Sequence, residues 1–466
     1  MANEHTLDCI IGIGNRSLEI LEPETGFVSW ARLMALFKRL LTKACDHGID
    51  DPRKMFHCLK VGAALTIVSL FYYIRLLYDG FGGNALWALM TVVVVFEYTV
   101  GGTLYKSLNR IGATTLAGFL ALGSHWIASQ AGHRFEPVIM EISLFVIALV
   151  TTLSRFIPVV KARYDYGCTI FILTYGLVLV SGYRVEKLMD VAMQRLSTIM
   201  IGTFLCIIIS ILVCPIWAGI ELHLLIACNM DKLANSLESC VAEYFSDGDE
   251  ESKKRLQDYR FVLSSKASEE SMAEFARWEP AHGPFGFKHP WKNYIKVGSS
   301  LRSCAYCIET LVSCLDSRHQ VPETIRNHLR ASCLSLSSSS SNVIRVLSTT
   351  VSSMTRSNQT DNVIKEMKDA VQESQNNLKT LSGILIRSHE EQVMKYELQD
   401  IIPLVTFVSL LIEISSRIEG GIVKTVEELA HSAEFEQSED EMDLPMAHVG
   451  SKIVGKEENM IALQRV

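Results

Sequence analysis

From about Val61 to Val213 the chain is almost continuously apolar, broken at intervals by short polar clusters that carry Arg and Lys. A helix needs roughly 17–25 apolar residues to cross ~30 Å of hydrocarbon. The blocks have about that length, and the pattern predicts six spans at 56–77, 84–100, 105–128, 137–156, 167–180 and 189–213. The connectors 78–83, 129–136 and 181–188 are short, so the spans pair into three antiparallel hairpins. After Ala218 the apolar residues fall at amphipathic spacing, predicting helices at 222–244, 252–278, 294–315, 323–347, 361–387 and 390–430. The stretch 401–414 is apolar but too short for a span, holds Pro403 and stops near Glu413, which suits a buried core helix. The expected fold class is an all-α membrane protein, with six transmembrane helices in three hairpins followed by a helical cytosolic domain. The expected boundaries are a cytosolic N-terminal region at 1–55, a pore domain at 56–214, a cytosolic helical domain at 215–430 and an acidic, flexible tail at 431–466.

Composition sharpens this division. The 48% hydrophobic average mixes two unlike halves, and the net charge of −7 hides an asymmetry. Lys and Arg gather around the apolar blocks, whereas acids gather late, near Glu434 and Asp443. This balance argues against a soluble enzyme for acidic substrates and against a nucleic-acid partner. The cysteines are scattered, several in apolar segments (Cys168, Cys206, Cys214), as reduced thiols would be. Cys304 and Cys307 form a lone CxxC without a second pair at zinc spacing, so no metal is expected. No nucleophile–base pair or phosphate loop appears; neither a cofactor nor an enzymatic activity is expected. The opening 51 residues lack a charged-then-apolar leader, which predicts cytosolic termini and, with no obvious sorting signal, the plasma membrane rather than the vacuolar membrane. The positive-inside bias then places Lys106, Arg155, Lys161 and Arg163 on the inner side, and Arg134, Arg184 and Lys187 on the outer.

Two arginines stand inside apolar blocks: Arg110 in the third span and Arg195 in the sixth. Neither has a carboxylate three or four residues away on its own helix. An unpaired Arg at that depth costs at least ~2.5–3.5 kcal/mol on insertion scales, so water, a partner or an anion must offset it. Guanidinium offers a planar fork that matches a carboxylate in two places. Two such groups from different helices on one aqueous path suit a dicarboxylate or another small anion. The surroundings are alike, amide-Arg-aliphatic-small, on helices running in opposite directions, as a 3+3 inverted repeat would produce. Snorkelling, or pairing with Glu97, Asp165 or Asp190, is the structural alternative. Lys106 stands one turn before Arg110, and Lys161 and Arg163 are expected in a loop as an inner basic vestibule that concentrates anions. Ala113, Ala117 and Ala121 stripe one face and predict close helix packing.

The motifs carry a resemblance. Trp87–Glu97, Gly102-Thr103-Leu104, Leu108-Asn109-Arg110, Tyr164-Asp165-Tyr166-Gly167, Ser181-Gly182-Tyr183-Arg184, Cys214–Gly219, Trp278-Glu279-Pro280 and Pro290–Tyr294 together resemble the plant aluminium-activated malate transporter family, over about 51–302. The resemblance implies a homodimeric, voltage-dependent anion channel passing malate and, in some members, chloride, sulfate or nitrate. It also implies that Arg110 and Arg195 line the conduction path and that Trp278, Glu279 and Pro280 form a structural element remote from it. Asp79, Glu186 and Asp190 are candidate outer aluminium ligands, although Lys187 among them argues against a trivalent-cation site. The segment 214–223 overlaps one proposed in the family to sense gamma-aminobutyrate. A secondary active efflux transporter, using Glu97 or Asp165 as its titrating group, and a membrane scaffold or receptor are the alternative functions.

Overall fold

The computed structural model describes residues 52–73, 85–132, 134–182, 188–245, 250–286, 288–315, 321, 323–390 and 398–437. The apolar half contains α1 (Pro52–Tyr73), α2 (Ala85–Val95), α3 (Val100–Gln130), α4 (Glu136–Ser154), α5 (Pro158–Gly182) and α6 (Leu188–Leu212). Of these, α3 to α6 are long and apolar enough to cross a membrane, and α2 is a shorter apolar helix.

Two boundaries differ from expectation. The second span ends at Val95, and the chain breaks over residues 96–99 before α3 starts at Val100. The restart has a local cause: the Thr99 hydroxyl accepts from the Gly102 N–H at 3.1 Å, an N-cap that satisfies one orphan amide. The fifth helix begins at Pro158, not Gly167, with proline tolerated in the first turn because its missing N–H would have had no partner there. Lys161, Arg163 and Asp165 therefore ride on α5 and do not sit in a loop. Asp165 does not end the helix because Arg155, beyond the end of α4, pairs with it at 2.7 Å.

The packing separates the helices into two groups. Ala64, Val68, Ala88, Val92, Val95, Cys206 and Ile209 join α1, α2 and α6, while Ala117, Ala121, Met140, Phe171 and Tyr175 join α3, α4 and α5. Ala117 and Ala121 are fully buried, as the alanine stripe predicted. Taken as two successive triplets, α1–α3 and α4–α6, the chain thus packs the third helix of each with the first two of the other.

The second half is built on α7 (Ala218–Phe245), α8 (Glu250–Leu256), α9 (Tyr259–Ser264), α10 (Lys266–Ala276), α11 (Trp291–Ser313), α12 (Glu323–Ser353), α13 (Gln359–Glu390), α14 (Leu398–Arg417) and α15 (Lys424–Ser432). The predicted helix 252–278 is three short ones, and 390–430 is α14 and α15 joined through a π-helical turn, Ile418–Val423. The serine-rich stretch of α12 lets α7 approach closely, with the Ser341 and Ser348 hydroxyls donating to the Ala234 and Ala227 carbonyls, each at 3.1 Å. The run Ile401–Ser432 also has the length and apolarity of a span. Its Leu404, Phe407, Val408 and Leu411 are fully buried in the core of this half, with α7, α11 and α12 around them. Inside that core Glu269 pairs with Arg302 at 2.5 Å and accepts from Ser265 and Asn229, so the buried charge is both neutralised and hydrogen-bonded. A short parallel bridge ties β1 (Thr355–Arg356) to β2 (Glu436–Gln437).

Candidate functional site

Arg110 lies on the buried face of α3 and is only 6% exposed. One terminal nitrogen donates to the Tyr166 hydroxyl on α5 at 3.4 Å, and its Nε has no partner. The contact is possible because α5 comes close at this level. Gly167 has no side chain, and a Cβ there would stand 3.1 Å from the Asn109 side-chain oxygen. Asn109 in turn donates to the Tyr105 carbonyl at 3.0 Å, which locks its rotamer beside Arg110.

Two buried polar atoms on the adjoining turns of α3 share the predicament of Arg110. The Ser107 Oγ and Thr114 Oγ1 are buried without a hydrogen-bond partner. Ser107, Arg110 and Thr114 follow one another at helical spacings of three and four, so they form one stripe along α3. Serine and threonine inside apolar helices usually donate to the carbonyl one turn earlier, as Thr115 does to Ile111 at 2.8 Å. Buried polar groups without protein partners are rare and mark a site for water, an ion or a functional constraint.

Arg195 on α6 is half-buried, with its guanidinium 4.8 Å from the centre of the Trp87 ring. Among the described residues no carboxylate pairs with it. It lines a cavity of 390 Å³ between α3, α5 and α6, and Thr114 lines the same cavity. The polar stripe that starts at Ser107 therefore ends in the space that Arg195 borders. The two arginines are also equivalent in register. Seven and eleven residues after Arg110 come Ala117 and Ala121, buried against α5; at the same offsets from Arg195 come Gly202 and Cys206, buried against α2. A Cβ on Gly202 would stand 3.0 Å from the Ala88 carbonyl.

The other predicted residues are placed differently. Lys106 is ion-paired to Glu97 and faces the Tyr166 ring at 5.7 Å, so its charge is not free as expected. Arg163 reaches Glu274 of α10 at 4.0 Å, and Lys161 is exposed on the first turns of α5. The expected loop vestibule is thus a helix end, tied in part to the second half. Asp79 and Glu186 lie outside the described residues. Cys304 and Cys307 are free thiols buried on α11.

The Trp278-Glu279-Pro280 element joins the halves. Glu279 is 4% exposed, and its carboxylate accepts from the Ala218 N–H at 2.6 Å, the Gly219 N–H at 3.1 Å and the Gly101 N–H at 3.1 Å. These are first-turn amides of α7 and α3, so one side chain caps two helices at their positive ends. Burial pushes its carboxyl above the ordinary range, while the three amides and His282, 3.7 Å away, pull it down. Trp278 packs edge-on against Tyr105 of α3 at 6.0 Å. Gly101 must be glycine, since a Cβ would collide with the Phe275 carbonyl.

Long apolar helices that hold arginines with no carboxylate partner among the described residues, attached to a large polar helical half through a buried carboxylate, define a multi-pass membrane transport protein. The chain matches the sequence profile described as aluminium activated malate transporter over residues 45–395. It is 45% identical to aluminum-activated malate transporter 10 of Arabidopsis thaliana, over 92% of this chain and 95% of that protein. It is 44% identical to aluminum-activated malate transporter 1 of the same plant (86% and 81% covered) and to the protein of that name from Triticum aestivum (66% and 70% covered). The chain belongs to the aluminium-activated malate transporter family, a family of transporters and not of enzymes.

Proposed function

We propose that this protein is a passive anion channel that conducts malate across a plant membrane. The observation that carries the reading is the stripe of unpartnered polar atoms on Ser107, Arg110 and Thr114, which leads to the cavity beside Arg195. Water or an anion on that stripe satisfies all three groups at once, and the two guanidinium groups supply the charge that draws a dicarboxylate inward. Six crossings, with the second half and both termini in the cytosol, agree with the contact between the first turn of α3 and Glu279. The shared register of the two arginines, with third helices exchanged between triplets, is what a 3+3 inverted repeat gives. Homodimeric assembly, voltage dependence, the passage of chloride, sulfate or nitrate and placement in the plasma membrane are part of the same proposal and rest on the family.

A proton-coupled carrier needs a titrating carboxylate in its path. Glu97 and Asp165 are each held by a basic partner, Lys106 and Arg155, which favours the channel. Voltage-clamp recording tests both points. Arg110→Ala and Arg195→Ala are each expected to cut malate current at least tenfold at unchanged surface abundance, on the order of the ~1.5–3 kcal/mol of a charged hydrogen bond. Wild-type conductance in both variants refutes the route. A reversal potential that follows pH and not the malate gradient refutes the passive mechanism.

A further inference from the structure

The cavity beside Arg195 offers more apolar wall than malate can use. Its walls are almost wholly apolar, with Phe119, Leu122, Trp126, Val178 and Leu196 among them. Its polar side chains include Arg195 and three threonines, Thr114, Thr115 and Thr174, of which Thr115 already donates to the Ile111 carbonyl at 2.8 Å. Arg195 has no carboxylate partner among the described residues, and Thr114 is 5% exposed with an Oγ1 that bonds to nothing. A volume of 390 Å³ falls within the roughly 300–1,000 Å³ of small-molecule sites, which are mostly apolar with a few placed polar groups.

We propose that this cavity binds organic monoanions with an apolar, ring-sized body, the aryl carboxylates, whose head group is held by Arg195 and the Thr114 hydroxyl. The carboxylate accepts from the guanidinium fork on one oxygen edge and from Thr114 on the other, while the ring replaces water against Phe119 and Trp126. In so doing the ligand occupies the charge that malate would use, so it acts as a blocker; this last step rests on the proposed route past Arg195.

The test uses the full chain in lipid nanodiscs, with 2-naphthoate as probe and its neutral methyl ester as control, titrated by calorimetry. Saturable binding of 2-naphthoate is expected, with the ester at least about tenfold weaker because it lacks the charge for Arg195. Arg195→Gln and Thr114→Val should each weaken 2-naphthoate and leave the ester unchanged. Gly118 lines the cavity and a Cβ there meets nothing within 4 Å, so Gly118→Leu should abolish binding by filling the space while the fold is kept. Equal binding of acid and ester, indifference to Gly118→Leu, or no saturable binding overturns the proposal; the first of these marks a crevice filled by lipid. Malate flux in the same samples separates the two readings. Binding that depends on Arg195, with flux that does not, keeps the site and removes the route. Flux that depends on Arg195, without 2-naphthoate binding, does the reverse.

Discussion

Substituting Glu279 with alanine removes the acceptor for three backbone N–H groups at once, those of Gly101, Ala218 and Gly219. All three lie in a buried joint, and α3 has no spare acceptor there: its Val100 N–H already donates to the Ile216 carbonyl at 2.9 Å, and Gly102 uses the Thr99 hydroxyl. At about 1–3 kcal/mol per orphaned buried group, Glu279→Ala should cost about 3–9 kcal/mol, the lower end applying where water enters the space left behind. Glu279→Gln keeps the shape and one acceptor oxygen but turns an NH2 toward an amide donor. It also removes the charge that favours two helix N-termini, so about 2 kcal/mol is expected. Since most domains are stable by only about 5–15 kcal/mol, the alanine variant should reach the membrane poorly, and the glutamine variant should be intermediate. Intrinsic tryptophan melting of the purified protein, read beside surface abundance, measures both. An alanine variant that melts with the wild type would show that the joint does not depend on this carboxylate. Equal loss in both variants would show that packing, not amide capping, is what Glu279 supplies.

Two further expectations follow from other parts of the molecule. In the second half the Tyr294 hydroxyl lies 3.0 Å from His223 Nδ1 and 3.3 Å from His289 Nε2, and burial lowers the pKa of both imidazoles, His289 to about 4. The unfolded chain then binds more protons between about pH 6.5 and 4, so stability is full above that window and falls with acidification, by about 2 kcal/mol for His289 alone at pH 5; a melting temperature that is flat from pH 7.5 to 5 refutes this. Gly202→Leu forces a side chain against Ala88 and Thr91 at the α2–α6 contact and should cost about 1–3 kcal/mol or more by overpacking, whereas Gly112→Ala, where a Cβ meets nothing within 4 Å, should be neutral or slightly stabilising in the same melting assay.

Much of the architecture was readable in the order of residues because a bilayer imposes a length on apolar blocks. The starts of α3 and α5 were not, and for different reasons. Hydropathy reports where a helix meets lipid, not where it begins. Lys161, Arg163 and Asp165 look like an interruption by charge, yet α5 runs through them because Asp165 finds Arg155 and Arg163 reaches Glu274. At the other boundary, residues 96–99 sit inside the predicted second span, but the chain stops and restarts there because Thr99 supplies a cap and Glu279, 178 residues beyond Gly101, supplies the next acceptor. No local pattern contains a bond of that separation.

The candidate site divides in the same way. Arg110 and Arg195 are conspicuous because an ionised group in an apolar block is expensive wherever it ends up. Ser107 and Thr114 are not, because a hydroxyl in such a block ordinarily donates to its own backbone and costs little. Only coordinates distinguish Thr114, whose hydroxyl is unspent, from Thr115, whose hydroxyl is bound to Ile111. The equivalence of the two arginine sites was likewise faint, since Ala117 and Ala121 answer to Gly202 and Cys206 by size and burial and not by identity. What the four positions share is that α5 or α2 lies against them. A close helix crossing seven and eleven residues beyond an arginine fixes the helix that carries it against its neighbour, and on the proposed route two such crossings, on helices exchanged between triplets, would turn both guanidinium groups toward one passage.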